Sequence, residues 1–511
     1  MVQLRRRRVL YTIHSWTGAV FGILLFVVCL SGAWALLDSP LQFWEARTER
    51  IALPEHVDLD AALLTAHRHG VDTRNVTLSW PHGTQRYVLI RPLRRGASHT
   101  PPLWLDPAGL RVVVREPARM SAIVTTLHKS LYGGFAGRIV VSLLGVAMTL
   151  LLLGGIVLHP RRWAACARLS IRGGWRTLAA DAHKFIGLWL FPLLLLISVT
   201  GAFSGLGALG TMTLSRAVFP GGMPQAMSEL MAAPTIRPAG HPAVMPSLNE
   251  RVSRHQLAHP AFRLETVTLQ SWGDANATLT LAGTEPGQLS TALFEKYQYR
   301  AGDGQLLRHA SMAGRGMWLR AFIAIQPLHF AQYGGALVTL LHFVGGLAAA
   351  LLTASGILMW LARRQSQDQQ VATVHAAALG ACGGLLCAIA LLMFVTSALP
   401  ASFPAKPEIQ QMVFWVVWAA FAVLSPLPAY RRHGVTIIAA VSGLGFLLAG
   451  AIDLVYSAGL AWSAQAPALV IDVFLLLAGG GLCSLAGKLR ARAYPFTTLF
   501  PQGSADDTIS S

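Results

Sequence analysis

Four histidines, His14, His128, His183 and His329, each stand at the edge of a long apolar run. An ionisable residue in or against a membrane span is costly, and by default it marks a functional site. Neutral imidazole is also an axial ligand of haem iron, and helix bundles build cofactor sites from side chains on facing helices. Two bis-histidine sites are therefore expected, His128 with His329 and His14 with His183, four imidazoles for two haem irons. Two further histidines compete for places in them. His342 follows His329 by 13 residues, roughly 20 Å along a helix, and His159 stands near His14 at the same side of the membrane.

The pairing rests on a repeat. His14-Ser-Trp-Thr-Gly18 aligns with His183-Lys-Phe-Ile-Gly187, and each is followed by a glycine 18 residues beyond its histidine, Gly32 and Gly201. LHKSLYGG at 127–134 aligns with LHFAQYGG at 328–335, so that His128, Tyr132, Gly133, Gly134, Gly145 and Gly155 match His329, Tyr333, Gly334, Gly335, Gly346 and Gly356 at a constant offset of 201. The first 365 residues are two copies of one unit: span, outside domain, span. Gly133, Gly134, Gly334 and Gly335 are candidates for leaving room for a flat porphyrin edge, although close helix packing also calls for small residues.

The elements that hold these residues follow from composition. With 511 residues, 53% apolar and 13% charged, the chain reads as a polytopic α-helical membrane protein. A spanning helix needs about 20 apolar residues, and eight runs qualify. The expected division is a first span at 1–38, an outside domain at 39–136, spans at 137–160 and 182–210, a second outside domain at 211–333, a fourth span at 334–362, a four-helix module at 371–490 and a tail at 491–511.

The formal charge of +18 does not indicate nucleic acid. Its basic residues, among them Arg5 to Arg8, Arg161, Arg162, Arg168, Arg172, Arg176, Arg363, Arg364, Arg431, Arg432 and Arg492, fall in connections on one side of the membrane. By the positive-inside rule both termini are cytoplasmic. The N-terminus mimics a signal peptide, but its histidine has an internal copy, so it is expected to remain. Five cysteines without a CxxC give no disulfide framework. The GxGxxG at 205–210 ends a span and follows no strand, which excludes a dinucleotide site.

The outside domains read as α+β. The first has a helix at 59–70 and strands in VTLSW, RYVLIRP, PLWLDP and LRVVV. The second has a helix near 247–258 and strands in LETVTLQSW, ATLTLAG, FEKYQYR and QLLRHA. Residues 220–246, rich in Pro, Gly and Met, are expected to lack regular structure. His67, His69, His82, His99, His241, His255, His259 and His309 are expected on the surface. Asp453 and Asp472 are expected near the outer ends of their spans, hydrogen-bonded to neighbours.

A span opening on His-x-x-x-Gly, an outside domain with a DPxG turn between its last strands, and LHxxxxGG entering a second span, all duplicated, resembles the PepSY-associated transmembrane family over residues 1–365. That family includes ferric-siderophore reductases and iron-regulated proteins of the inner membrane of Gram-negative bacteria. The resemblance implies PepSY-like periplasmic domains, haem b held by membrane histidines, and electrons carried to periplasmic iron, here expected as a ferric siderophore or other iron chelate; with no nucleotide domain in the sequence, the expected donor is a membrane quinol or a cytoplasmic reductant. The alternative is a scaffold or transporter without catalysis, whose outside domains bind a peptide or partner protein. No residue is singled out as a catalytic acid or base.

Overall fold

The computed structural model describes residues 2–47, 50–93, 101–114, 119–159, 174–231, 236–364, 369–400 and 402–491. His99, Arg161, Arg162, Arg168, Arg172, Arg492 and the tail from 492 onward lie outside the described residues.

The first copy runs through α1 (Val2–Leu36), α2 (Asp38–Glu45), α3 (Leu59–Arg68), β1 (Val76–Ser79), β2 (Val88–Pro92), β3 (Leu103–Leu105), β4 (Val112–Val113), α4 (Arg119–Ser130) and α5 (Gly134–Leu158). The second comprises α6 (Gly174–Trp189), α7 (Phe191–Val218), α8 (Gly222–Met231), α9 (Leu248–Ala258), β5 (Arg263–Gln270), β6 (Thr278–Thr284), β7 (Lys296–Arg300), β8 (Leu306–Ala310), α10 (Met317–His329) and α11 (Gly335–Arg364). After these come α12 (Gln369–Ala378), a π-helical turn (Leu379–Gly383), α13 (Gly384–Ala398), α14 (Lys406–Leu424), α15 (Pro428–Ser457) and α16 (Trp462–Ala491).

Eight of the described helical stretches are long and apolar enough to cross a membrane, as expected from the eight apolar runs. Three local features differ from the expectation. The third span is broken between α6 and α7, where Pro192 sits in the first turn of the new helix and its missing N–H has no intrahelical partner to lose. The 220–246 segment contains α8. The short helices α4 and α10 precede the second and fourth spans, and they carry His128 and His329 in their last turns.

The two outside domains, read as two stretches of the chain, form one eight-stranded antiparallel sheet in the order β4-β3-β2-β1-β5-β6-β7-β8. The copies join edge to edge through a repeated triplet, Val76-Thr77-Leu78 and Val267-Thr268-Leu269. Val76 faces Leu269, Thr77 faces Thr268 and Leu78 faces Val267. A pseudo-twofold axis therefore passes between Thr77 and Thr268, whose hydroxyls are 3.1 Å apart. Alternate residues of the strands point to one face, where Leu78, Ile90, Leu269 and Leu281 are buried against α3 and α9. The two helix starts share caps: the Leu248 N–H donates to Asp60 and the Leu59 N–H to Asn249.

Within the membrane the copies interlock, α1 packing on α11 and α5 on α7. Equivalent glycines make both approaches possible. A Cβ on Gly346 would lie 2.9 Å from the Ala33 methyl, and one on Gly145 would lie 2.8 Å from the Ala202 nitrogen. The last four spans pack against the first copy, sharing a core that includes Trp34, Trp44, Ile123, Phe446 and Leu475.

Candidate functional site

The bundle brings the duplicated histidines together in pairs, one from each copy. The ring centres of His128 and His329 are 6.1 Å apart, with planes 13° from parallel. Those of His14 and His183 are 6.4 Å apart, with planes at 89°. Two imidazoles that each place a nitrogen about 2 Å from one metal ion have ring centres roughly 6 Å apart, so both separations suit a shared axial metal. Among the described residues no three or more His, Cys, Asp or Glu gather around a metal position; a two-ligand centre requires only the pair.

Each imidazole is seated by a glycine of its own copy. A Cβ at Gly32 would lie 2.6 Å from the His128 ring and one at Gly201 would lie 3.0 Å from the His329 ring. At the other pair the distances are 3.6 Å from Gly155 to His14 and 3.1 Å from Gly356 to His183. Gly32 and Gly201 occupy equivalent positions in the repeat, as do Gly155 and Gly356.

Three of the rings are oriented through Nδ1, which leaves Nε2 as the free nitrogen. His128 Nδ1 lies 2.9 Å from the Val28 carbonyl and His183 Nδ1 lies 3.0 Å from that of Leu352. His329 Nδ1 lies 3.0 Å from the Thr200 hydroxyl. Such partners set the tautomer and direction of a ligating histidine. His14 Nδ1 is buried without a hydrogen-bond partner among the described residues.

A cavity adjoins each pair. The one nearer the sheet measures about 550 Å³ and is lined by His128, His329, Gly32, Gly201, Phe294 and Phe322, with Lys129 and Arg138 as its cations. The distal cavity, about 760 Å³, is lined by His14, His183, His159, Gly155, Gly356 and Trp360, with Arg7, Arg8, Lys184 and Arg363. Leu25 and Met148 line both. Along α1, 18 residues separate His14 from Gly32, about 27 Å at 1.5 Å per residue, so the pairs sit toward opposite ends of the span.

His342 lines the proximal cavity, but its ring faces backbone carbonyls on both sides, Val338 at 3.0 Å from Nδ1 and Leu328 at 3.2 Å from Nε2. The partner set against His128 is His329. Gly133, Gly134, Gly334 and Gly335 lie in the turns that reverse the chain between α4 and α5 and between α10 and α11. Gly134 and Gly335 there have φ of 57° and 67°, a region open to glycine at no steric cost. The glycines beside the imidazoles are the ones matched 18 residues beyond the first histidines and near the ends of the second and fourth spans.

Two polar clusters are more deeply buried than expected. Asp453 and Asp472 are wholly buried, and their neighbours come from the first copy. Arg47 and Arg50 pair with Asp453 at 2.6 and 2.9 Å, and Trp44 Nε1 donates to Asp472 at 2.8 Å. In the sheet domain His255, expected on the surface, is only 4% exposed. It is hydrogen-bonded to the Tyr299 hydroxyl at 2.8 Å and packed against His259 and Tyr297. Burial, followed by the neighbouring His259 and His309, lowers its pKa to about 4. Its spacing from His259, one helical turn, was the available signal.

The family described as PepSY-associated TM region matches residues 11–363. An uncharacterized protein of Pseudomonas aeruginosa is 40% identical over 385 residues, which covers 73% of this chain and 96% of that relative.

Proposed function

Since the chain belongs to the PepSY-associated transmembrane family, a multi-pass membrane protein with eight apolar helices, we propose that it is a haem-containing electron carrier of the bacterial inner membrane that reduces ferric iron outside the cell membrane. The observation that carries this reading is the pair of cross-copy histidine couples, 6.1 and 6.4 Å apart, each beside a cavity and each seated on a glycine. In this reading both termini are cytoplasmic and the sheet domain is periplasmic and PepSY-like.

The residues fit two haem b groups. His128 with His329 and His14 with His183 would hold the two irons through their imidazole nitrogens. Lys129 and Arg138 at one cavity, and Arg7, Arg8, Lys184 and Arg363 at the other, would supply cations for the carboxylates of such a group. Haem provides one-electron carriage between ferric and ferrous iron, while the protein sets its position and surroundings. Leu25 and Met148, buried and apolar, line both cavities.

The electrons come from a membrane quinol, which yields two electrons and two protons, or from a cytoplasmic reductant. The acceptor is a ferric chelate, a siderophore above all, taking one electron per iron. Hard oxygen chelators hold ferrous iron far less well than ferric, so reduction releases the metal without a catalytic acid or base.

Protein purified from haem-replete cells is expected to show a Soret band, and α bands on dithionite reduction. Absence of both overturns the proposal. Reoxidation of the reduced protein by a panel of ferric siderophores should differ among them; equal indifference to all of them removes the acceptor assignment.

A further inference from the structure

Helix α4, which ends on His128, begins against a carboxylate. The N–H groups of Arg119 and Met120 donate to Glu45 at 3.1 and 3.2 Å, so that Glu45 satisfies amides of the kind that a helix start leaves without intrahelical partners. Glu45 belongs to α2 and is only 8% exposed. A third contact reaches it from the C-terminal spans, where Gln410 Nε2 donates to the carboxylate at 2.8 Å and to the Thr396 hydroxyl at 2.9 Å. Lys406, also buried, acts on the same carboxylate through its charge.

Around it, α2 and the residues after it are tied to the same four spans by Trp44 with Asp472 and by Arg47 and Arg50 with Asp453. A second acid of α2, Asp38, accepts from Thr125 of α4 at 3.2 Å, and Tyr132, in the turn after α4, packs edge-on against Trp415 of α14 at 5.0 Å. The equivalent helix of the second copy differs. Helix α10 starts from Gly316 with no side-chain cap, and Met317 and Trp318 in its first turn are 70% and 82% exposed.

We infer that Glu45 is a positioning residue for His128, through which the four C-terminal spans fix one side of the sheet-proximal pair. The chain of contacts runs from α14 through Gln410 to Glu45, along α4 to His128, and on to the Val28 carbonyl that orients the ring. Removing the carboxylate leaves the first amides of α4 buried without an acceptor and frees the helix to shift, carrying the imbidazole with it. This inference rests on the haem reading for its spectroscopic consequence but not for its mechanical one.

The test is hydrogen exchange on the full-length protein, read by mass spectrometry over residues 119–130 and, as control, 317–329. Glu45→Ala is expected to speed exchange in the first segment roughly fivefold, the factor that loss of a helix cap corresponds to, with the second unchanged. Glu45→Gln, which keeps an oxygen acceptor, should restore most of the protection. In haem-loaded protein the midpoint potential and electron paramagnetic resonance signal of the proximal haem should move in Glu45→Ala while the distal haem stays as it is. Gln410→Ala, which leaves the carboxylate and removes only its outer anchor, should give the same pattern more weakly and serves if Glu45→Ala does not fold. Unchanged exchange in these variants overturns the inference, as does faster exchange with an unmoved proximal haem. Wild-type protein without any haem would defeat the proposed function, while the exchange experiment would still decide the clamp.

Discussion

The two histidine pairs are products of one duplication, yet their surroundings have diverged. At the proximal pair the imidazole planes are nearly parallel, the cavity is smaller, and its two cations come from the first copy alone; the positions matching Lys129 and Arg138 are Phe330 and Thr339. At the distal pair the planes are perpendicular, the cavity is about 210 Å³ larger (760 less 550), and cations come from both copies. Duplication supplied the histidine positions, while the residues next to them have changed. In the proposed relay such differences would set the potentials of the two carriers apart.

The largest expected effect separates the sites outright. His128→Ala or His329→Ala should halve the haem content and spare the distal site, and His14→Ala or His183→Ala should do the reverse, checked by pyridine haemochrome assay. Loss of both haems in any one variant would break the independence of the pairs. Next comes the ligand geometry. Perpendicular axial planes give ferric haem a strongly anisotropic low-spin resonance and parallel planes a rhombic one, so the wild-type spectrum should contain both. The anisotropic signal should vanish in the His14 and His183 variants.

A graded effect is expected from alanine at the seating glycines. A methyl at Gly32 would stand 2.6 Å from its imidazole, at Gly201 3.0 Å, at Gly356 3.1 Å and at Gly155 3.6 Å, with nothing within 4 Å at Gly18. Occupancy of the adjoining haem should recover along that series, with Gly18→Ala indistinguishable from wild type.

The smallest effect lies in the sheet domain, where the copies also differ. Counting eight residues from the helix caps Asp58 and Ser247, the first copy has Ala66 where the second has His255. His255 stays neutral in the folded state because its pKa is lowered to about 4 from 6.5, whereas the unfolded chain takes up a proton. Its contribution to stability is therefore complete above pH 6.5 and is lost as the pH falls from 6.5 toward 4. Melting temperatures at pH 7 and pH 5 should lie closer together in His255→Phe than in wild type.

The spans, the duplication and the cross-copy pairing were all legible in the sequence, because a membrane demands long apolar runs and because a repeat preserves register at His14 and His183 or His128 and His329. The glycine partners were legible only as repeat positions. Which of them faces an imidazole depends on helix rotation, and a turn glycine such as Gly134 looks the same on the page as a seat such as Gly32. The joined sheet was hidden because the pairing of Thr77 with Thr268 spans 191 residues and leaves no local signal beyond the repeated Val-Thr-Leu. Glu45 was hidden for a related reason: an isolated acid after a span reads as a surface residue until Gln410, 365 positions away, is seen beside it.

The join between β1 and β5 also sets an order of assembly. During synthesis β1 is finished 191 residues before its partner, an interval of roughly 10 to 40 s at typical elongation rates. Through that interval the first half-sheet carries a bare strand edge, the kind of surface that recruits other chains, and His128 still lacks His329. A chain consisting of the first copy alone would have one way to cover that edge and complete its pairs, which is to meet another molecule of itself across the Thr77 axis. The duplicated protein is thus a homodimer written into one chain, and its two halves are free to diverge because they can no longer part.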